Sequence, residues 1–107
     1  MQTSSFKEIL PTLIDASHIQ QLNLLNKRGE IIDSIENIPG KSGSVSVYYH
    51  VSVENGQLDK VTAQQALQLY AEHTVDARQN PGKHPNIDRL FDIINNNLTY
   101  QVNAINK

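Results

Sequence analysis

A chain of 107 residues with no cysteine and a formal charge of −2 fits one domain, 1–107, with a single modest core. The missing thiols exclude disulfides, iron–sulfur clusters, thiolate zinc sites and thiol nucleophiles, and they suit a reducing compartment. The 9 Lys and Arg lie scattered among 11 Asp and Glu, so neither nucleic acid nor membrane is expected as a partner.

Met1 to Leu10 holds Lys7 and Glu8 and no apolar run of leader length, and no stretch approaches the length that crosses a bilayer. A cytoplasmic location is the expectation. Ser5 and Glu8 form a capping box that starts a first helix. Phe6, Ile9, Leu10 and Leu13 then make one apolar stripe, which Pro11 interrupts, so the helix is expected to end near Leu10.

Leu22, Leu24 and Leu25 precede Asn26-Lys27-Arg28-Gly29, and Ile31, Ile32 and Ile35 follow it, the pattern of a β-hairpin. Pro39-Gly40-Lys41-Ser42-Gly43 is a second break. Beyond it Val45, Val47, Tyr49, Val51 and Val53 alternate with Ser44, Ser46, Tyr48, His50 and Ser52. Alternation with valine at every second place predicts a half-buried strand, ended by a turn at Glu54-Asn55-Gly56-Gln57. Its Tyr48–His50 face would look outward as a polar surface.

Helical spacing runs from Val61 to Gln79, with Ala63, Ala66, Leu67, Tyr70, Thr74 and Ala77 on one stripe and a stop at Asn80-Pro81-Gly82. Pro85 opens a last helix with Ile87, Leu90, Phe91 and Ile94 inward, closed at Asn95-Asn96-Asn97. Leu98 to Ile105 alternates again as a closing strand. The expected fold is α+β: about four antiparallel strands and three helices, in the order helix, three strands, two helices, strand.

Gly40-Lys41-Ser42 resembles the tail of a phosphate-binding loop, but Ile35 stands where that motif needs glycine, and a strand rather than a helix is expected to follow. It is therefore read as a plain loop. The chain holds no G-x-S-x-G, H-E-x-x-H or G-x-G-x-x-G. Asn97-Leu98-Thr99 is a glycosylation sequon with no meaning outside secretion. What remains is a cluster between Glu72 and Arg89: Glu72, His73, Asp76, Arg78, Lys83, His84, Asn86, Asp88 and Arg89. His73 and Asp76 share a helix face, and His84 and Asp88 sit four apart at the next helix start. Two antiparallel helices would bring both pairs to one end of the domain, where imidazoles and carboxylates serve a metal ion or acid–base work. The blander reading has more weight: outer-face carboxylates, an anion at a helix start, His84 capping a turn, and Arg78 and Arg89 pairing with the acids. No cofactor is expected. His18 and His50 read as ordinary surface residues.

Ala71-Glu72-His73-Thr74-Val75-Asp76-Ala77-Arg78, Asn80 to Leu90 with His84-Pro85-Asn86-Ile87-Asp88 at its centre, the Pro39 to Ser44 loop and Ser5 to Leu10 together resemble a small bacterial domain-of-unknown-function family, found largely in proteobacteria. The resemblance covers nearly the whole chain and implies a stand-alone domain with no assigned activity and no catalytic residue to carry over. Similar sequences look more helical after Gly43-Ser44, which sets the valine strand from His50 onward against its own alternation.

The function therefore reads as unknown. A non-enzymatic binding or interaction domain, taking an unknown protein or small molecule, is the first reading; a metal-dependent or acid–base enzyme using His73, Asp76, His84 and Asp88 is the alternative. A closing strand at a sheet edge with few charges would also serve a homodimer.

Overall fold

The computed structural model describes residues 4–107; Met1, Gln2 and Thr3, part of the leading stretch read above, lie outside the described residues. Helix α1 (Phe6–Ile9) has the expected capping box: the Glu8 amide donates to Ser5 Oγ at 3.3 Å, and the Ser5 amide to Glu8 Oε1 at 3.0 Å. Pro11 turns the chain into a 3₁₀ segment, Leu10–Thr12. The hairpin follows as β1 (Ile19–Leu25) and β2 (Ile31–Glu36). Asn26 Oδ1 holds its turn by accepting from the Arg28 and Glu30 amides at 2.9 and 3.0 Å.

The valine segment is a helix, α2 (Ser42–Ser52), not a strand. Val45, Tyr48 and Ser52, spaced i, i+3, i+7, are buried together with Val47. The Ser52 hydroxyl donates back to the Tyr48 carbonyl at 2.7 Å. Packing of that face outweighs the strand preference of valine, which is small and context-dependent. Tyr48 thus points into the core, and no polar sheet face with His50 exists. His50 Nδ1 instead accepts from the Ile14 amide at 3.0 Å, and the His18 ring meets the edge of Tyr49 at 5.7 Å.

The third strand forms where a turn was expected. Strand β3 (Gln57–Leu58) pairs Gln57 with Gln101 and Leu58 with Tyr100. The long helix is two: α3 (Lys60–Leu69) and α4 (Glu72–Gln79). The break lies at Ala71, whose φ of 53° and ψ of −119° no helix contains. The bend lets Thr74 Oγ1 donate to the Leu67 carbonyl at 2.5 Å, satisfying one of the orphan carbonyls at the end of α3. The whole expected stripe from Ala63 to Ala77 is nonetheless buried. Helix α5 (Pro85–Asn96) ends on Asn97 in the left-handed conformation, φ 52°, and β4 (Tyr100–Asn106) closes the fold.

Four antiparallel strands lie in the order β2-β1-β4-β3, so the α+β class holds, with five α-helices among the described residues rather than three. The closing strand lies inside the strand order rather than at its end: β1 flanks one side of β4, while on the other β3 and the Gly56 carbonyl cover Tyr100 to Val102, leaving the second half of β4 without a strand partner there among the described residues. On one sheet face Leu22 sits between Ile35 and Ala104, and Leu24 beside Val102. Helix α2 packs against all four strands, and α3 lies against both α2 and α5. Leu22, Leu24, Leu58, Leu90 and Ile93 are fully buried there. Each such side chain contributes about 1.5–3 kcal/mol by leaving water.

Candidate functional site

Between β2, the start of α2 and the α4–α5 connection lies a cleft of about 670 Å³. The Pro39-Gly40 turn bends the chain out of β2, with Gly40 at φ 89° and the Lys41 and Ser42 amides both bonded to the Ile38 carbonyl at 2.9 Å. Helix α2 starts inside this cleft. Lys41 stands at its N-cap with no side-chain cap bond, and the Gly43 and Ser44 amides have no hydrogen-bond partner among the described residues. Such first-turn amides carry the partial positive charge of a helix terminus.

Opposite stand the imidazoles of His73 and His84, ring centroids 5.7 Å apart. Asp76 anchors His84: Oδ2 lies 2.7 Å from His84 Nε2 and 3.0 Å from Lys83 Nζ, and Oδ1 accepts from Asn80 Nδ2 at 2.9 Å. The bond to His84, then that to Lys83, holds the Asp76 carboxyl down at about 2. Phe6 roofs the α2 start, its ring stacked on Tyr70 at 5.7 Å and edge-on to His73 at 5.1 Å. Gly43 leaves room for that ring: a Cβ there would lie 3.1 Å from two of its carbons.

The floor is a polar network. Tyr48 hydroxyl donates to the Asn86 carbonyl at 2.5 Å and accepts from Arg89 Nη1 at 3.1 Å; the same nitrogen donates to Asn86 Oδ1 at 2.9 Å. Arg89 Nη2 pairs with Asp33 of β2. Burial pushes the Tyr48 hydroxyl up to about 12 and that of Tyr70, which donates to Ser44 Oγ at 2.7 Å, upward as well.

Of the expected cluster, His73, Lys83, His84, Asn86 and Arg89 line the cleft, with Asp76 behind them. The rest point elsewhere. Glu72 Oε1 accepts from the Phe6 amide at 2.7 Å and ties α4 to α1. Arg78 lies 5.2 Å over the Phe91 ring and pairs with no acid among the described residues. Asp88 Oδ2 accepts from the Gly82 amide at 2.9 Å. His84 makes no cap bond; its ring goes to Asp76 because the connection folds back on α4. Among the described residues no three His, Asp or Glu side chains are arranged to hold a metal ion; Asp76 and His84 meet, whereas Asp88 turns to the Gly82 amide.

A family model described as "uncharacterized protein conserved in bacteria (DUF2322)" matches residues 6–104. The chain belongs to this family. No curated protein and no solved structure matches it, and none of the described helices is long and apolar enough to cross a membrane.

In this DUF2322 chain the cleft also contains Phe6, Asp33, Lys41, Ser42, Gly43, Ser44 and Tyr70, which lie outside the cluster expected from the sequence. One signal was there. Gly40-Lys41-Ser42 departs from a phosphate-binding loop on two grounds in the sequence: Ile35 replaces a glycine, and the alternating segment that follows predicts a strand. The first ground stands; the second fails, since a helix of 11 residues follows.

Proposed function

We propose that this DUF2322 domain is a non-enzymatic, cytoplasmic binding domain whose cleft holds a small organic anion. One observation carries the reading: the balance of charge across the cleft. Lys41, His73, Lys83, His84 and Arg89 converge on it from the α2 start, α4, the α4–α5 connection and α5, and Asp33 is the one carboxylate in its lining. Arg89 already neutralises Asp33, and Asp76 offsets Lys83. Lys41 has no ion pair among the described residues, and the unpaired α2 amides add to its field. Phe6, Leu10, Ile87 and Tyr70 supply apolar wall for the ligand's body. Concentrated in one cleft, these basic side chains suit a small molecule rather than a nucleic-acid backbone.

Amide NMR of the intact chain titrated with inorganic phosphate and with citrate tests this. Saturable shifts at Gly43, Ser44 and His73, weakened several-fold by Lys41→Ala, are expected. Non-saturating shifts scattered over the surface lysines would remove the reading.

The His84–Asp76 contact favours acid–base chemistry as a second reading. An imidazole that donates Nε2–H to a carboxylate keeps Nδ1 as an acceptor. Turnover of a phosphate or carboxylate ester, lost in His84→Gln, is its test.

A further inference from the structure

We propose that the cleft takes up a doubly charged oxyanion together with protons on the His73–His84 pair, so that capture tightens as pH falls. This rests on the anion-binding reading above and adds the charge class and control of the ligand. Both rings line the cleft, 5.7 Å apart and tilted by 47°. Nε2 of His84 is committed to Asp76, while the His73 nitrogens bond to no protein group among the described residues. Two imidazolium ions this close repel each other, and an oxyanion bonded to both removes the repulsion. Linkage is reciprocal: if protonation of the pair favours the anion, the anion favours protonation of the pair.

The surrounding charges leave this role to a ligand. On α4, Glu72 is bonded to the Phe6 amide, and Asp76 is shared by His84, Lys83 and Asn80. Glu8 of α1 turns back to Ser5, and Asp88 of α5 holds the Gly82 amide. Asp33 of β2 is on Arg89, and Lys41 faces the pair as a further cation. Among the described residues only Asp76 hydrogen-bonds to either ring, and its second oxygen is also occupied; Glu72, the neighbour of His73 in the chain, spends its Oε1 on the Phe6 amide. The ligand's geometry follows from Arg89. Both its terminal nitrogens serve Tyr48, Asn86 and Asp33, so no guanidinium fork is free for a planar carboxylate. The remaining donors are point-like (an ammonium, imidazole N–H, a hydroxyl, two amides), which suits a tetrahedral phosphoryl or sulfuryl group.

Sulfate is the probe, because its charge stays constant between about pH 8 and about pH 5.5, across the ordinary histidine range. Its affinity for the intact chain is measured by NMR at both pH values, with chloride holding ionic strength constant. A gain of about tenfold or more at the lower pH is expected, as one or more coupled protons require. The histidine ring protons, followed in parallel, should titrate at higher pH with sulfate than without it. In His73→Gln the gain should flatten, and the ring titrations of the unmutated chain give the same answer should that variant fail to fold. Equal binding at both pH values, or a gain retained in both His73→Gln and His84→Gln, overturns proton coupling and leaves the anion cleft standing. No saturable binding at either pH overturns both.

Discussion

His84 Nε2 and Asp76 Oδ2 lie 2.7 Å apart, joining the residue before α5 to the second turn of α4 across the Asn80–Lys83 connection. This contact orients the His84 ring at the cleft and ties the α4–α5 connection back to α4. Asp76 is depressed to about 2 from an ordinary 3.8, chiefly by the His84 bond. A carboxylate lowered on folding stabilises the fold above its unfolded value, and that contribution disappears as pH falls through the folded one. The stability difference between the native chain and Asp76→Asn should therefore shrink between about pH 4 and pH 2. Urea unfolding across that range checks it, and an Asp76 carboxyl carbon titrating near 4 would contradict it.

Tyr48 joins α2 to α5 through one hydroxyl that donates to Asn86 and accepts from Arg89. Tyr48→Phe keeps the ring but strands a carbonyl and one guanidinium N–H in a buried place. The expected cost is about 1–3 kcal/mol, read as a lower urea midpoint with unchanged slope. Burial also pushes this hydroxyl up to about 12. Its protonated form therefore stabilises the fold fully below about pH 10, and the contribution is lost as pH rises toward 12. Ultraviolet titration of the intact chain should show Tyr48 ionising well after an exposed tyrosine such as that of a model peptide.

Ala71 holds φ 53° and ψ −119°, a region that costs a residue with a Cβ about 1–3 kcal/mol. Ala71→Gly removes that strain and concedes about 0.5–1 kcal/mol of extra freedom in the unfolded chain. A net gain on the order of 1 kcal/mol is predicted. Thermal unfolding decides it, and a lower Tm would mean that the methyl group contributes more by packing than the strain costs.

Gly43→Ala places a methyl group 3.1 Å from Phe6 Cε2 and Cζ. The ring is held between Tyr70 and His73, so it must shift off one of them. The His73 ring resonances should move while those at Asn97, at the far end of α5, stay in place. The stability change should remain within about 1 kcal/mol, because alanine gains helix propensity over glycine. Unmoved His73 resonances would show that Phe6 does not press on the start of α2.

Local chemistry was enough for the first helix, the hairpin, the start of α5 and the closing strand. The Ser5–Glu8 box, Pro11, the Asn26–Gly29 turn, Pro85 and the Asn95–Asn97 stop act within a few residues of themselves. The buried stripe from Ala63 to Ala77 was legible for the same reason, although not its break, because nothing in Tyr70-Ala71-Glu72 signals a left-handed turn. Within the candidate cluster, the i, i+3 relation of His73 and Asp76 was readable. The partnership that matters, Asp76 with His84, depends on how the connection folds back.

Composition, charge and short-range spacing by themselves determined an α+β chain with no thiol chemistry and with one candidate cluster of ionisable side chains between Glu72 and Arg89. The tertiary structure alone decided that the valine segment is helical, because Val45, Val47 and Tyr48 must fill one core face against the sheet. It also decided where the cleft lies. That one reversal put a helix start beside Lys41 and turned an alternating strand into one wall of the site, since burial of a shared face outweighs the weak backbone preference of any single residue.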